Sequence, residues 1–345
     1  MMGGIQVPDS RPKLSKRWNH VLQAAILVTA FGFIYHQVFS EHGMVQITAM
    51  LNEFSLLGAE KTMVMVILSL MLLNWGTESV KWKFLVRRIE NISFSVAIQA
   101  VLTGITISTF TPNRIGEFFG RAFILKKANP VKAIILTIIG SMSQLMVTLL
   151  LGTLSLLILL PNIASHTGGW PAYLHAGIVS FIILFDTGLV FLYFNVGAIR
   201  PLARYFLKQT HSKVFHYLDV LNKVSRAELA YVLFLSFVRY GIFFTQFFLA
   251  LRLFGVLVSL KQAALLLPEI YLALAVVPTI ALTELGVRGS VAIYVIGTFL
   301  ALHGSIPGQW DAAVLSAATL IWIINLAIPA VAGALFVFKL RFTRR

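Results

Sequence analysis

The sequence contains no cysteine, which excludes disulfides, thiolate catalysis and thiolate metal sites together. Charge is also scarce, and acidic residues are the rarest, since 13 Asp and Glu stand against 28 Lys and Arg. No phosphate-binding P-loop or dinucleotide fingerprint occurs, and we expect no cofactor. Because 58% of the residues are hydrophobic and 12% are charged, we predict an all-α polytopic membrane protein.

Apolar runs give the first estimate of the topology. Several approach or exceed the roughly 20 residues that a membrane-spanning helix needs. The best candidates are 19–39, 62–77, 133–160, 172–197, 229–252 and 311–338. The sequence therefore predicts about six transmembrane helices.

The net charge of +15 lies mostly in short segments between these runs. Two examples are the clusters from Lys81 to Arg88 and from Lys126 to Lys132. Basic clusters beside spans mark the cytoplasmic face and attract anionic lipids. We therefore expect a basic cytoplasmic arm over 1–18, a basic cytoplasmic tail over 339–345, and a multi-pass protein of a bacterial-type inner membrane. No soluble domain is predicted, so we do not expect nucleic-acid binding.

The apolar stretch 94–110 conflicts with this topology if it crosses the membrane once, because one basic cluster would then lie outside. A re-entrant hairpin over 94–125, turning near Pro112, removes the conflict. Its return arm, 114–125, would be about 18 Å long, too short for roughly 30 Å of hydrocarbon. Proline suits the first turn of a new helix and restricts the residue before it.

The long apolar segment 263–302 must begin and end on the outer side, as a second hairpin or as two crossings. It contains "TELGVR" where the first hairpin contains "GEFFGR". Both place Glu and Arg four residues apart, Glu117 with Arg121 and Glu284 with Arg288. This spacing puts the two side chains next to each other on one helix face.

Each half then has the order span, span, hairpin, span, but the halves start on opposite sides of the membrane. The predicted organisation is an inverted repeat of 19–160, with hairpin 94–125, and 172–338, with hairpin 263–302. Interrupted segments at matching places in two inverted halves point to the central site of a transporter. The alternative is chance similarity between short amphipathic patches.

Arg114 lies where water should be scarce and has no local partner in the sequence. An unpaired charge near the bilayer centre costs roughly 2.5–3.5 kcal/mol, so such a residue faces a wet cavity or the protein interior. We predict a pocket for an anionic group, most plausibly a lipid phosphate. The alternative is that Arg114 snorkels or pairs with Glu269 or Asp186. The candidate binding residues are Pro112, Asn113, Arg114, Gly116, Glu117, Arg121, Glu284, Gly286 and Arg288.

Other polar residues in apolar runs are candidates for gating or coupling. Asp186 and Arg239 both fall near the middles of predicted helices and could pair with each other. Glu269 is a candidate proton-coupling carboxylate. The histidines show no ligand spacing, so we expect no metal site. Ser141 and Ser143 lack a histidine at comparable depth, and the residues indicate no catalytic site.

The stretch "TPNRIGEFFGRAFIL" resembles the signature of the lysylphosphatidylglycerol synthase transmembrane-region family of flippase-like membrane proteins. The resemblance rests on Pro112, Arg114, Gly116, Glu117, Arg121 and Leu125. "KWKFLVRR" and "ELGVRGS" also look like that family. The second motif departs from the usual pattern, because Gly289 stands where a Glu is common, and Glu284 is a candidate substitute.

The resemblance implies translocation of an anionic lipid or a lipid-linked intermediate between leaflets, and it makes a separate lipid-modifying enzyme a candidate partner. The best-known members carry a soluble aminoacyl-transferase domain, which we do not find in this sequence. Two alternatives remain open. One is a membrane-embedded enzyme or enzyme subunit that modifies a lipid headgroup, and the other is a non-transporting membrane scaffold.

Overall fold

The computed structural model describes residues 16–39, 59–166, 169–199, 212–277, 284–302 and 308–340, with single residues at 48, 201 and 306. Within these ranges every regular element is a helix. The helices are α1 (Lys16–Phe39), α2 (Ala59–Val86), α3 (Phe94–Ser108), α4 (Gly116–Ala122), α5 (Pro130–His166), α6 (Ala172–Phe194), α7 (Ser212–Asn222), α8 (Arg226–Leu253), α9 (Leu260–Val276), α10 (Glu284–Leu302), α11 (Asp311–Trp322) and α12 (Ile328–Ala334).

Six helices in the described ranges are long and apolar enough to cross a membrane. They are Glu60–Val86, Pro130–Pro161, Ala172–Phe194, Arg226–Leu253, Glu284–Ala301 and Asp311–Ala334. The last combines α11 and α12 through a π-helical turn, Ile323–Ala327. The prediction of an all-α polytopic membrane protein with about six spans is confirmed.

Five of the six coincide with predicted apolar runs. The remaining predicted run, 19–39, lies in the 24-residue helix α1, and its role as a span stays a prediction. The sixth spanning candidate among the described residues is α10, which lies in the segment 263–302. The stretch Glu284–Ala301 is apolar apart from two charged residues, Glu284 and Arg288.

The chain doubles back between α3 and α4. A Cβ atom on Gly120 would lie 2.7 Å from the Cα atom of Gly104, so the two helices touch at their glycines. The two ends of this hairpin also meet, because the Glu90 carboxylate accepts hydrogen bonds from the backbone N–H groups of residues 126–128 at 2.8–3.2 Å. That this helical hairpin is re-entrant in a membrane stays a prediction.

The segment 263–302 contains α9 and α10, and α9 continues through Pro268 without a break. Pro278, which precedes "TELGVR" as Pro112 precedes "GEFFGR", lies outside the described residues. The helix α9 packs against α5 and α10, and α10 packs against α11. A hairpin and two crossings both remain interpretations of this segment.

The beginning of α1 and the end of the described chain lie side by side. The Gln23 side chain donates hydrogen bonds to the carbonyl oxygens of Phe338 and Leu340, at 3.1 and 3.0 Å. Lys339 in turn donates to Gln99, near the start of α3, at 3.0 Å. The first and last described helices and the open end of the hairpin therefore share one end of the molecule.

Candidate functional site

Glu78 on α2 is surrounded by three cations. Its Oε1 atom accepts a hydrogen bond from Arg121 at 2.6 Å, and its Oε2 atom lies 2.8 Å from Lys81 and 2.9 Å from Arg239. Its side chain is 5% exposed. The arginines come from α4 and α8, so one buried carboxylate joins three separate elements.

The structure corrects the interpretation of Lys81, which the charge pattern placed in a cytoplasmic basic cluster. The helix predicted over 62–77 extends to Val86, and Lys81 is 1% exposed. Its ammonium group also donates to the Gly140 carbonyl oxygen at 3.2 Å and to Ser236 Oγ at 3.3 Å. Its position three residues after Glu78 puts both side chains on one helix face, where they neutralise each other.

The predicted pair of Glu117 and Arg121 is formed. Arg121 uses one guanidinium nitrogen for Glu117 and the other for Glu78, and its side chain is 3% exposed. Gly104 makes room for it, because a Cβ atom at that position would lie 3.0 Å from Arg121 Cγ. Glycine at the contact of α3 and α4 thus permits a buried arginine between two carboxylates.

Arg114 ends the short helical turn Pro112–Arg114. Asn113 and Arg114 both have positive φ angles, 48° and 58°, a conformation that non-glycine residues adopt mainly where surrounding contacts enforce it. Thr111 supplies such contacts, because its carbonyl oxygen accepts from the Arg114 N–H at 3.2 Å and its hydroxyl accepts from the Gly116 N–H at 2.8 Å. The turn fixes the direction in which Arg114 leaves the backbone.

The Arg114 side chain makes no ion pair or hydrogen bond with the residues that the structure describes, and its Nε atom is buried without a partner. The alternative that Arg114 pairs with Glu269 or Asp186 is therefore wrong, since the structure describes all three residues. Arg114 is close enough to Glu117, Glu284 and Arg239 to interact with them electrostatically. It is a cation near the charge cluster whose donors remain available.

The predicted pair of Glu284 and Arg288 is also formed, with Arg288 Nε at 3.1 Å and Nη2 at 2.7 Å from one carboxylate oxygen. Glu284 is nearly buried, but the Arg288 side chain is 29% exposed. Within the described residues, Arg288 contacts a single carboxylate, whereas Arg121 contacts two. The Arg288 Nη1 atom has no hydrogen-bond partner in the part of the chain that the structure describes.

A cavity of about 340 Å³ opens beside these groups. Its lining comes from α2, α3, α4, α5, α8, α9, α10, α11, the turn that holds Arg114 and the π-helical turn. Its lining contains four cationic side chains and two carboxylates, which leaves two positive charges in excess when all are ionised. These charged residues are Lys81, Arg114, Arg239, Arg288, Glu78 and Glu117.

The predicted binding residues divide into three groups around this cavity. Arg114, Glu117 and Arg288 line it. Arg121 and Glu284 do not line it but hold Glu117, Glu78 and Arg288 in place. The remaining four are not among the lining residues. Pro112, Asn113 and Gly116 shape the turn that holds Arg114, and Gly286 lies on α10 with open space beside it.

A chain of amides extends the site and was missed by the sequence reasoning. Arg239 Nε donates to Asn74 at 2.7 Å, Asn74 donates to Asn325 at 2.8 Å, and Asn325 donates to Gln246 at 3.1 Å. Asn325 lies in the π-helical turn, a distortion that is frequent at functional sites. The signal available in the sequence was the presence of single amides within apolar helices.

Asp186 and Arg239 do not pair, which corrects that interpretation. Asp186 accepts a hydrogen bond from Thr153 at 2.9 Å, and Arg239 pairs with Glu78 and Asn74. The reason is that α6 packs mainly on α5 and has few contacts with α8. Glu269 lies on α9 with a buried Oε1 atom that has no hydrogen-bond partner, and it is not among the residues lining the cavity.

Two other chemistries considered for this sequence are metal binding and serine catalysis. No group of three His, Cys, Asp or Glu residues there could hold a metal ion. Ser141 lines the cavity, but no histidine is among the lining residues. Ser143 is buried beside Lys81, and its hydroxyl forms a hydrogen bond of 2.7 Å with the hydroxyl of Ser236.

Six apolar helices, five of which line a charged interior cavity, define the class, a polytopic α-helical membrane protein with a polar internal site. The family model described as "Lysylphosphatidylglycerol synthase TM region" matches residues 21–333. The chain belongs to this family, which connects it to lipid handling, and the match includes both Glu–Arg motifs. Searches of curated proteins and of solved structures each gave no match.

Proposed function

We propose that this protein moves an anionic lipid or a lipid-linked intermediate between the two leaflets of the membrane. The observation that carries the proposal is the interior cavity with two excess positive charges. A membrane protein bears the cost of burying charge mainly where a pathway or a ligand uses it. Family membership supports a lipid as that ligand.

In this mechanism the lipid headgroup enters the cavity while the acyl chains stay in the bilayer. Arg114 and Arg288 have donors without protein partners among the described residues, so they can bind the phosphate directly. Arginine is suited to this task because its planar guanidinium group donates two parallel hydrogen bonds to a phosphate. The ion pairs of Glu78 with Arg121 and Arg239 hold the surrounding helices together.

Movement between leaflets requires the cavity to open alternately to each side. The proposed moving parts are the inverted halves, 19–160 and 172–338, with an interrupted segment in each. The halves are joined at one end by Glu228 on α8, which pairs with Arg87 at 2.9 Å and also with Arg88. We propose that this contact closes the basic end of the pathway.

We place the protein in a bacterial-type inner membrane with both termini in the cytoplasm. The contacts of Gln23 with Phe338 and Leu340 support termini on the same side. The basic residues near those positions favour the cytoplasmic side. The partners in this proposal are the anionic lipid or lipid-linked substrate and a separate lipid-modifying enzyme.

The test is headgroup accessibility in proteoliposomes that contain fluorescent anionic phospholipids. A membrane-impermeant quencher reports the fraction of labelled headgroups that reach the outer leaflet. We expect wild-type protein to make nearly all of them accessible, and Arg114→Ala and Glu117→Gln to leave only the fraction seen in protein-free vesicles. Arg226→Gln is the matched control, since Arg226 is exposed and bonds to Asn195 away from the cavity.

The outcomes separate the three functions. Loss of movement in both cavity variants, with movement kept by the control, supports transport. A headgroup that is chemically altered by the wild type would instead indicate the membrane-embedded enzyme or enzyme subunit. Absence of movement and of chemical change with every anionic lipid class, in folded protein, would overturn transport and leave the scaffold.

A further inference from the structure

The arginines at the cavity differ in how many of their donors the protein itself uses. Arg114 uses none of its side-chain donors within the described residues. Arg239 uses Nε for Asn74 and Nη1 for Glu78, which leaves Nη2. Arg288 uses Nε and Nη2 for Glu284, which leaves Nη1. Donors from three separate elements are thus available to a ligand.

The net charge of the groups around the cavity indicates not only that the ligand is anionic but also how many negative charges it carries. Around the cavity five cations meet three carboxylates, so the complete cluster keeps the same excess of two positive charges as the lining alone. The cations are Lys81, Arg114, Arg121, Arg239 and Arg288, and the carboxylates are Glu78, Glu117 and Glu284. Buried charge is costly unless it is compensated, so the best ligand is one that neutralises the excess.

We propose that the cavity selects a phosphate group that carries two negative charges, as the terminal phosphomonoester of a lipid does. This inference rests on the proposed function, because it takes the cavity to be the headgroup site. A phosphodiester such as phosphatidylglycerol brings one negative charge and leaves one positive charge unbalanced. A zwitterionic or cationic headgroup leaves at least two.

The size and geometry of the cavity agree with a compact headgroup. Ligand pockets range from about 300 to 1,000 Å³, and this cavity of about 340 Å³ is at the lower end. A terminal phosphate offers three oxygens, which can accept from donors on three sides. The same group occurs in inorganic phosphate, so lipid and soluble sources have to be separated by experiment.

The experiment measures binding to the purified full-length protein in neutral detergent. The probes are short-chain phosphatidic acid, phosphatidylglycerol and phosphatidylethanolamine with identical acyl chains, and inorganic phosphate alone. We expect phosphatidic acid to bind about tenfold more tightly than phosphatidylglycerol, with phosphatidylethanolamine weaker still, because each uncompensated charge lowers the electrostatic complementarity. Comparable binding of inorganic phosphate would assign the site to a soluble anion and overturn the lipid part of the proposal.

Variants test the charge count directly. Arg114→Gln removes one excess charge, and we expect it to reduce the preference for phosphatidic acid over phosphatidylglycerol from about tenfold to about twofold or less. Arg114→Lys keeps the charge and should retain most of the preference. Arg226→Gln, outside the cavity, should leave the preference unchanged. A preference that is equal in Arg114→Gln and wild type overturns the proposal.

Failure of this inference differs from failure of the transport function. Equal binding of phosphatidic acid and phosphatidylglycerol, with both lipids crossing in proteoliposomes, would leave transport intact and reject selection of the double charge. A strong preference for phosphatidic acid, without movement of any lipid, would support the site and reject transport.

Discussion

The chain contains two Glu–Arg pairs with the same four-residue spacing, in different surroundings. In the first, Arg121 is 3% exposed and lies between two carboxylates, Glu117 and Glu78. In the second, Arg288 is 29% exposed, and Glu284 is its one ion-pair partner among the described residues. Arg121 of the first pair is enclosed by a third group from another helix, whereas Arg288 of the second pair lines the cavity.

This difference assigns two tasks to one local motif. Glu78 on α2 pairs with Arg121 of the first motif, which connects α2 to α4. It also pairs with Arg239, which connects α2 to α8. The second pair presents an arginine with an unused nitrogen to the cavity. The same spacing therefore gives a structural brace in one hairpin segment and a ligand contact in the other.

The largest expected effect comes from removing the carboxylate that seals the first pair. Glu78→Gln leaves Lys81, Arg121 and Arg239 without their shared partner, and breaking a buried ion pair costs about 3–5 kcal/mol. We expect a large fall in the unfolding midpoint in detergent, measured by the loss of monodisperse protein on heating. Glu284→Gln is the matched control and should lower the midpoint much less. Equal falls would contradict the comparison.

An intermediate effect is expected from Arg121→Lys. A lysine ammonium is a point charge and cannot reproduce the two-nitrogen bridge between Glu117 and Glu78. The buried acceptor that loses its partner costs about 1–3 kcal/mol of unfolding free energy. Arg288→Lys changes a more exposed pair with one carboxylate and should leave the unfolding midpoint near that of wild type. An unchanged midpoint in Arg121→Lys would show that the bridge contributes little.

The smallest effect concerns the glycines beside the two pairs. In Gly104→Ala the new Cβ atom would lie 3.0 Å from Arg121 Cγ and 3.1 Å from the Glu117 carbonyl oxygen, and neither atom can move freely. We expect a loss of about 1 kcal/mol of unfolding free energy from overpacking. In Gly286→Ala the new atom meets nothing within 4 Å, so stability should be unchanged or slightly increased. The two denaturation midpoints, measured under the same conditions, should move apart, and a higher midpoint for Gly104→Ala would contradict the packing argument.

Sequence reasoning predicted what depends on local spacing and on the bilayer. Five of the six spanning candidates coincide with predicted apolar runs, because a helix in lipid must be both long and apolar. The pairs of Glu117 with Arg121 and of Glu284 with Arg288 follow from helix geometry alone. These features do not require knowledge of which helices are neighbours.

The centre of the site depends on such knowledge and was missed. Glu78 is 43 residues from Arg121 along the chain, and no local pattern connects them. Lys81 resembled the first residue of a cytoplasmic basic cluster, because its burial depends on packing against α5 and α8. Asp186 and Arg239 were matched by depth in the membrane, which does not determine which helices lie side by side.

The central claim is that Arg288 of the second pair contacts the headgroup while the first pair braces the fold. The most direct test is the initial rate of lipid movement in proteoliposomes containing Arg288→Gln, at the same amount of folded protein as wild type. The account predicts an unfolding midpoint near that of wild type and a rate reduced to that of protein-free vesicles. A wild-type rate in folded Arg288→Gln would contradict it.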